Sequence, residues 1–494
     1  MDNIGKNIWF TSIHRFIPAV TSFIFWFLAA KIAGPEILGV VSTFNSLLIL
    51  MSGFLMFDIF LGMKRYMGIS QSTENFSQSK EIFMSSIIFV TISLVFFLTF
   101  LYLPYFSIID YIGIDKEYHW LFLVLLPTYC FYILFSETLI TLLKSRSLLN
   151  PVLFGSLLRF PLLILFIFII YFPSIGSIIA YFSMFFVGTV CYGYELHKYL
   201  KKYHFRWNES LKYVKVILTS GFTSWLPHII NILGSQLSLI TVFTVAGASE
   251  AGKFYLPLAI FTLTLFILNS ITRVSHPIVA GMAAESQNRF IIYSIKIAFL
   301  TTMPISVGFL LFPAEFLSII GREYESAMTA LIIFMICVPF SIITEIIYYY
   351  VYAKGDNKLL LVLGLSGNLP RVFLYFLLVP VLGLNGSAIA YVVGTGIQMI
   401  LSIKLARSYS MKLERKVYVI ATLVPILIGS PFVLLNVNFI ISIIAIVFIT
   451  IIAYIKLGYI KKKEMRLLIY SVLSKNQADG AYKLVNRIFD RLKK

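Results

Sequence analysis

Residues 87–103 read IIFVTISLVFFLTFLYL, seventeen positions without a charged side chain. A bilayer's hydrocarbon core is about 30 Å thick and takes ~20 apolar residues per helix. Peptide groups inside it must be satisfied within the spanning element, which admits helices and closed barrels. Barrel strands alternate lipid-facing and lumen-facing residues, and this stretch does not alternate. A membrane-spanning helix is the reading.

The same character extends in both directions. Of 494 residues 59% are hydrophobic and 13% charged, with mean hydropathy +0.90, against roughly 25% charged in soluble domains. An all-α polytopic membrane protein is expected. Fourteen spans are expected near 8–31, 38–62, 82–104, 119–143, 152–172, 177–196, 216–242, 250–274, 290–313, 327–353, 358–382, 386–408, 416–435 and 438–457. Pro227 and Pro257 interrupt spans 7 and 8, so twelve or thirteen is the alternative count. The first apolar stretch is a full span without a small-residue cleavage pattern, which argues against a signal peptide. Cys130, Cys191 and Cys337 lie far apart in apolar runs. That suits buried hydrophobes, not metal ligands or disulfides.

Basic residues near span ends set the orientation. One set of loops carries Lys64, Arg65, Lys80, Lys144, Arg146, Lys198, Lys201, Lys202 and Arg206, and later Arg289, Lys354, Lys358, Lys404, Arg407 and Lys412. The other offers Lys31, Lys116, Lys253 and Arg322. Both termini are therefore expected on the cytoplasmic side of the cell membrane. The net charge of +18 then needs no nucleic acid, because anionic lipids at the cytoplasmic face attract such loops. In the tail, Leu484, Val485, Ile488, Phe489 and Leu492 recur among Lys483, Arg487, Arg491, Lys493 and Lys494. A basic amphipathic surface helix is expected there, with a soluble interaction tail as the alternative.

The chain repeats itself. Gly34-Pro-Glu-Ile-Leu-Gly39 joins spans 1 and 2, and Gly247-Ala-Ser-Glu-Ala-Gly252 joins spans 7 and 8, 213 residues later. Gly176-Ser-Ile-Ile-Ala-Tyr181 opens span 6, and Gly386-Ser-Ala-Ile-Ala-Tyr391 opens span 12, 210 residues later. Spans 1–6 thus correspond to spans 7–12, and an even unit gives both copies the same topology. The expected division is a six-span lobe over 1–212, a second over 213–411, two further spans over 412–458 and the tail over 459–494. Transporters with parallel repeats place their site between the halves.

The stretch AAKIAGPEILGVVSTFNSLLILMSGFLMFDIFLGMKRYMG resembles the N-terminal signature of the polysaccharide-export, O-antigen-flippase-like branch of the MOP flippase superfamily, through its Gly-Pro-Glu turn and Asp58, Gly62, Lys64 and Arg65. PVLGLNGSAIAY, residues 380–391, resembles that family's P-x-x-G-x-x-G-x-A-x-A turn through Pro380, Gly383, Gly386, Ala388 and Ala390. The resemblance covers about residues 5–410. It implies two six-helix lobes around a central cavity, working by alternating access. It also implies a polyprenyl-(di)phosphate-linked oligosaccharide as substrate, moved from the cytoplasmic to the outer leaflet, with glycan-assembly enzymes as candidate partners.

Ionisable groups within spans are costly and face a cavity or a partner. Arg159 in span 5 and Arg371 in span 11 are near repeat equivalents, each beside a proline, Pro161 or Pro370. Both are candidates to bind a substrate phosphate. Glu137 in span 4 and Glu345 in span 10 precede them and are expected as their resting partners. Those pairs are either structural ties or bonds that open for substrate or a proton. Arg15, Lys64, Arg65, Arg273 and Lys296 could ring the inward mouth, where Arg suits phosphate by its forked donors. Positive-inside anchoring is the plainer account of them. Asp58 and His228 lack a partner visible in sequence, and a satisfied core histidine is the plainer reading of His228.

No Walker-type loop for ATP is present, no cofactor is expected, and the loops are too short to form a catalytic domain, so an enzyme is not expected. A cation-coupled multidrug or metabolite exporter of the same superfamily is the competing function, and a membrane scaffold a third. The topology has a direct check. Reporter fusions after Lys202 and after Arg322 should report opposite sides of the membrane.

Overall fold

The computed structural model describes residues 2–101, 112–266, 268 and 284–460, with residues 479, 480, 482, 483 and 486 of the tail. The amphipathic surface helix expected over the tail lies largely outside the described residues. Among the described residues every regular element is helical. The N-terminal part holds α1 (Asp2–Met56), α2 (Ile59–Ser72), α3 (Phe76–Leu101), α4 (His119–Thr141), α5 (Leu149–Ile164), α6 (Pro173–Leu200) and α7 (Trp207–Thr264). There follow α8 (Ala284–Leu311), α9 (Met328–Lys354), α10 (Asn357–Ser408), α11 (Arg415–Leu434) and α12 (Phe439–Lys456).

Eleven of the described helices are long and apolar enough to cross a membrane. Three are too long for one crossing: the apolar parts of α1, α7 and α10 run 48, 41 and 52 residues, or roughly 60–80 Å at the helical rise. Each of the three leaves helical geometry at one glycine. Gly34 has φ 81 and ψ 174, Gly247 has φ 88 and ψ 173, and Gly383 has φ 56 and ψ −136. Positive φ is nearly free for glycine and strained for other residues. Counting each bent helix as two crossings gives the fourteen spans read from the sequence. The bends fall between expected spans 1 and 2, 7 and 8, and 11 and 12.

Span 2 departs from its expected bounds. A continuous helix to residue 62 was expected, but α1 stops at Met56 and α2 starts at Ile59. Phe57 and Asp58 between them are both left-handed, with φ 45 and 48, a conformation that side-chain-bearing residues seldom adopt. The reason is tertiary. A Cβ at Gly221 would lie 2.6 Å from the Phe57 carbonyl oxygen and 3.0 Å from that of Asp58, so the α7 backbone is pressed against the break. Trp225 Nε1 donates to the Gly53 carbonyl at 3.1 Å and its ring stacks on Phe57 at 4.9 Å.

The chain forms two compact units, residues 1–255 and 256–494. In the first, α1 packs on α4, α5 and α6, and α2 on α3 and α4. In the second, α8 packs on α9, α11 and α12, and α9 on α10.

Inside the first unit the two Gly-x-x-x-x-Gly landmarks meet. A Cβ on Gly39 would collide with the Ala248 carbonyl, and one on Gly252 with the Pro35 carbonyl. Each would also lie 2.9 Å from the other glycine's nitrogen. Exchanging each residue with the one 213 places away maps this contact onto itself, as a local two-fold axis requires. Backbones this close leave no room for a methyl group, and overpacking costs about 1–3 kcal/mol. Gly39→Ala and Gly252→Ala should each lower the thermal unfolding midpoint in detergent. Gly68→Ala, in an open position of α2, should leave it unchanged.

Candidate functional site

Three helices of the first unit bring one acid and two bases together. Glu137 lies four-fifths of the way along α4, Arg15 in the first half of α1, and Lys64 in α2 just past the Asp58 break. Arg15 Nη2 donates to Glu137 Oε1 at 3.0 Å, and Lys64 Nζ stands 2.7 Å from Oε2. The carboxylate side chain is 15% exposed, the two cations 36% and 44%. Each carboxylate oxygen thus has its own cation, and the bases retain N–H groups on their open side. The cluster carries a formal charge of +1, so an anion can still be accommodated there.

Lys64 follows the Phe57–Asp58 turn by six residues, on a helix that packs against α4. Asp58 lies near Ser224 and His228. Two residues that lacked partners in sequence therefore sit near each other. His228 is exposed, not a buried core histidine.

Behind Arg15 lies a residue the sequence reading did not single out. His14 is buried, with Nε2 3.2 Å from the Tyr192 hydroxyl and 3.5 Å from that of Tyr132. Tyr192 donates onward to the Leu148 carbonyl at 3.1 Å. Adjacent helical positions point about 100° apart, so His14 and Arg15 serve different neighbours. The end of α1 is tied down further: Asn7 Nδ2 donates to the Ile140 carbonyl at 3.2 Å, and the Ser145 N–H donates to Asn7 Oδ1 at 3.0 Å.

The expected resting pairs are not formed. Arg159 is 0% exposed, and Glu137 is taken by Arg15 and Lys64. Arg159 Nη1 instead donates to Ser22 Oγ at 2.7 Å and Nη2 to Met184 Sδ at 3.2 Å, with its guanidinium 4.6 Å from the Tyr181 ring centroid. Arg371, 7% exposed, donates to Asn368 Oδ1 at 2.7 Å and Thr395 Oγ1 at 2.8 Å, and lies 4.1 Å from the Tyr391 centroid. No ion pair joins Glu345 to Arg371 among the described residues, although the two charges are near enough to interact. The rings are the tyrosines that close the two Gly-Ser-x-Ile-Ala-Tyr landmarks. Each half thus seats its arginine on the same tyrosine through a cation–π contact. In the second half, position 228, 213 residues after Arg15, is histidine, and position 277, 213 residues after Lys64, is proline.

Arg65 is exposed, 5.8 Å from the Tyr66 centroid, and Lys296 is buried within α8. Arg273 lies outside the described residues. Removing one partner of a buried pair leaves the other charges uncompensated. Glu137→Gln would leave Arg15 and Lys64 as facing like charges, at a cost of ~1–3 kcal/mol. Its unfolding midpoint should fall further than that of Glu345→Gln, which breaks no ion pair among the described residues.

No family model matches the chain, and no curated protein sequence matches it. Solved structures do. A multidrug resistance MATE family transporter of the MOP superfamily, in an inward-facing conformation, is 17% identical with a TM-score of 0.67; the match covers 81% of this chain and 98% of that one. The lipid II flippase MurJ, in an inward closed conformation, is 14% identical with a TM-score of 0.67, covering 91% and 98%. An outward-facing MATE family structure gives 17% and 0.61, covering 82% and 96%. The chain therefore has the polytopic helical fold that the MATE transporters of the MOP superfamily and the flippase MurJ share.

Proposed function

We propose that this protein is a membrane transporter that flips a polyprenyl-(di)phosphate-linked oligosaccharide from the cytoplasmic to the outer leaflet of the cell membrane by alternating access. Arg15 and Lys64 are the groups that meet the phosphate. The observation that carries the reading is the cluster of two part-exposed cations on one carboxylate. An incoming phosphate competes with Glu137 for the same donors, gaining charge-assisted hydrogen bonds as the carboxylate is released. Glu137 keeps the cations poised and mutually tolerable while no substrate is present. Arg159 and Arg371 act as braces that hold span 5 against span 6 and span 11 against span 12, because their guanidinium groups are enclosed and committed to neutral partners. The fold shared with a lipid II flippase supports a lipid-linked substrate.

A second reading, a cation-coupled multidrug or metabolite exporter, accords with the multidrug resistance name of the MATE structures and is favoured by Asp58, at the break in span 2, lying near His228 of α7. The two readings part in reconstituted vesicles. A charge-assisted bond is worth roughly 1.5–3 kcal/mol, so Arg15→Gln and Lys64→Gln should each slow flipping of a polyprenyl-diphosphate oligosaccharide about tenfold or more. Arg15→Lys should recover only part, having lost the fork. Wild-type protein that moves no such lipid, yet exports an organic cation against a proton or sodium gradient, overturns the proposal in favour of the exporter.

A further inference from the structure

Apart from the transport cluster, a second repeated arrangement of basic and aromatic residues lies at the ends of the helices on the side read as cytoplasmic. Lys144, in the turn after α4, places Nζ 5.0 Å from the ring centroid of Tyr199 near the end of α6. Lys202 places its own Nζ 5.2 Å from the same ring and 5.1 Å from that of Tyr203. In the second unit Lys354, the last residue of α9, lies 3.8 Å from the Tyr409 centroid and 4.5 Å from that of Tyr350. Lys144 and Lys354 are 210 residues apart, as are Tyr199 and Tyr409. The offset is that of the Gly176 and Gly386 landmarks. The same lysine meets the same tyrosine in both halves.

These rings are braced. Tyr203, edge-on to Tyr199 at 5.9 Å, stacks on Phe76 at 5.3 Å, and its carbonyl accepts from Lys80 Nζ at 2.8 Å. Tyr350, edge-on to Tyr409 at 5.5 Å, donates its hydroxyl to Asn288 Oδ1 at 2.8 Å, and Asn288 Nδ2 donates to the Tyr409 carbonyl at 2.8 Å. Lys144, Lys202 and Lys354 are exposed. Among the described residues none of them pairs with a carboxylate. A lysine at a membrane edge ordinarily snorkels freely toward water. Here a ring fixes each ammonium group from one side and leaves N–H donors on the other. Tyrosine favours the depth of lipid headgroups, and the cytoplasmic leaflet supplies anionic ones.

We propose that Lys144–Tyr199–Lys202 and Lys354–Tyr409–Tyr350 are two repeat-related seats for the phosphate headgroup of an anionic phospholipid. The phosphate takes the N–H donors turned away from the rings, and the acyl chains lie along the adjoining helix ends. The seats are separate from Arg15 and Lys64 and do not depend on what the protein transports.

Native mass spectrometry of the full-length protein with phosphatidylglycerol tests this. Wild type should retain two lipids. Tyr199→Leu and Tyr409→Leu should each weaken retention of one lipid about fivefold, the scale of a single cation–π contact, although the net charge is unchanged. Tyr199→Phe and Tyr409→Phe keep the ring and should retain both. Lys144→Gln and Lys354→Gln supply a second route to the same loss should a leucine variant fail to fold. Phosphatidylcholine should not be retained, and millimolar inorganic phosphate should not displace the phosphatidylglycerol. Retention unaltered in the tyrosine variants while the lysine variants lose lipid would reduce both patches to ordinary positive charge and overturn the seats. Equal retention of phosphatidylcholine would overturn them too, and complete displacement by inorganic phosphate would assign them to free phosphate.

Discussion

A peptide group inside hydrocarbon has no water to turn to, so the chain can change direction there only where the backbone remains satisfied or escapes into a neighbour. That constraint keeps the glycine bends of this protein at the ends of its spans. Gly34, Gly247 and Gly383 take backbone angles that a side chain would resist, and each lets a helix re-cross the bilayer without an intervening loop. The first two bends have the same φ and ψ to within several degrees. They carry the glycines that let Pro35 and Ala248 carbonyls approach the facing helix. Bend, close approach and repeat are thus one device: a turn that needs glycine for its angle and a second glycine five residues on for its crossing.

Much of this was legible in the primary structure, for an identifiable reason. A glycine needed by the backbone marks its position however the surrounding apolar residues drift, so the spacings of 213 and 210 survive where leucines and isoleucines interchange. The Phe57–Asp58 break left no such mark. Asp58 is of a type that tolerates the left-handed region, but Phe57 is not, and the stretch before them is as apolar as any span. What imposes it is Gly221, pressed against the break from α7, a tertiary contact invisible to local periodicity.

The partners of Glu137 escaped the sequence for a related reason. Pairing it with Arg159 assumed that charges on consecutive spans of one half seek each other. The register between helices is set instead by packing: Gly155 lets α5 approach the backbone of Met184, and this buries Arg159 against Ser22, Met184 and Tyr181. An arginine so placed has no room for a carboxylate. It is accommodated by a hydroxyl, a thioether and an aromatic face, which together soften an insertion cost of ~2.5–3.5 kcal/mol. Lys64 reaches Glu137 from α2, which starts after the unforeseen break and packs against α4.

The two halves therefore share a scaffold and differ in charge. What repeats is mechanical: bend glycines, crossing glycines, an arginine on a landmark tyrosine and a lysine on a second tyrosine. What does not repeat is the cluster of Arg15, Lys64 and Glu137, because the equivalents of the two cations are His228 and Pro277. A duplicated fold with identical charge in both halves would offer an anion two equal sites. On the proposed function, placing the cations in one half breaks that degeneracy and gives an anionic substrate a single cationic anchor, while Glu345 forms no ion pair among the described residues. If the protein transports as proposed, halves that are mechanically alike leave direction and choice of cargo to such a difference in charge.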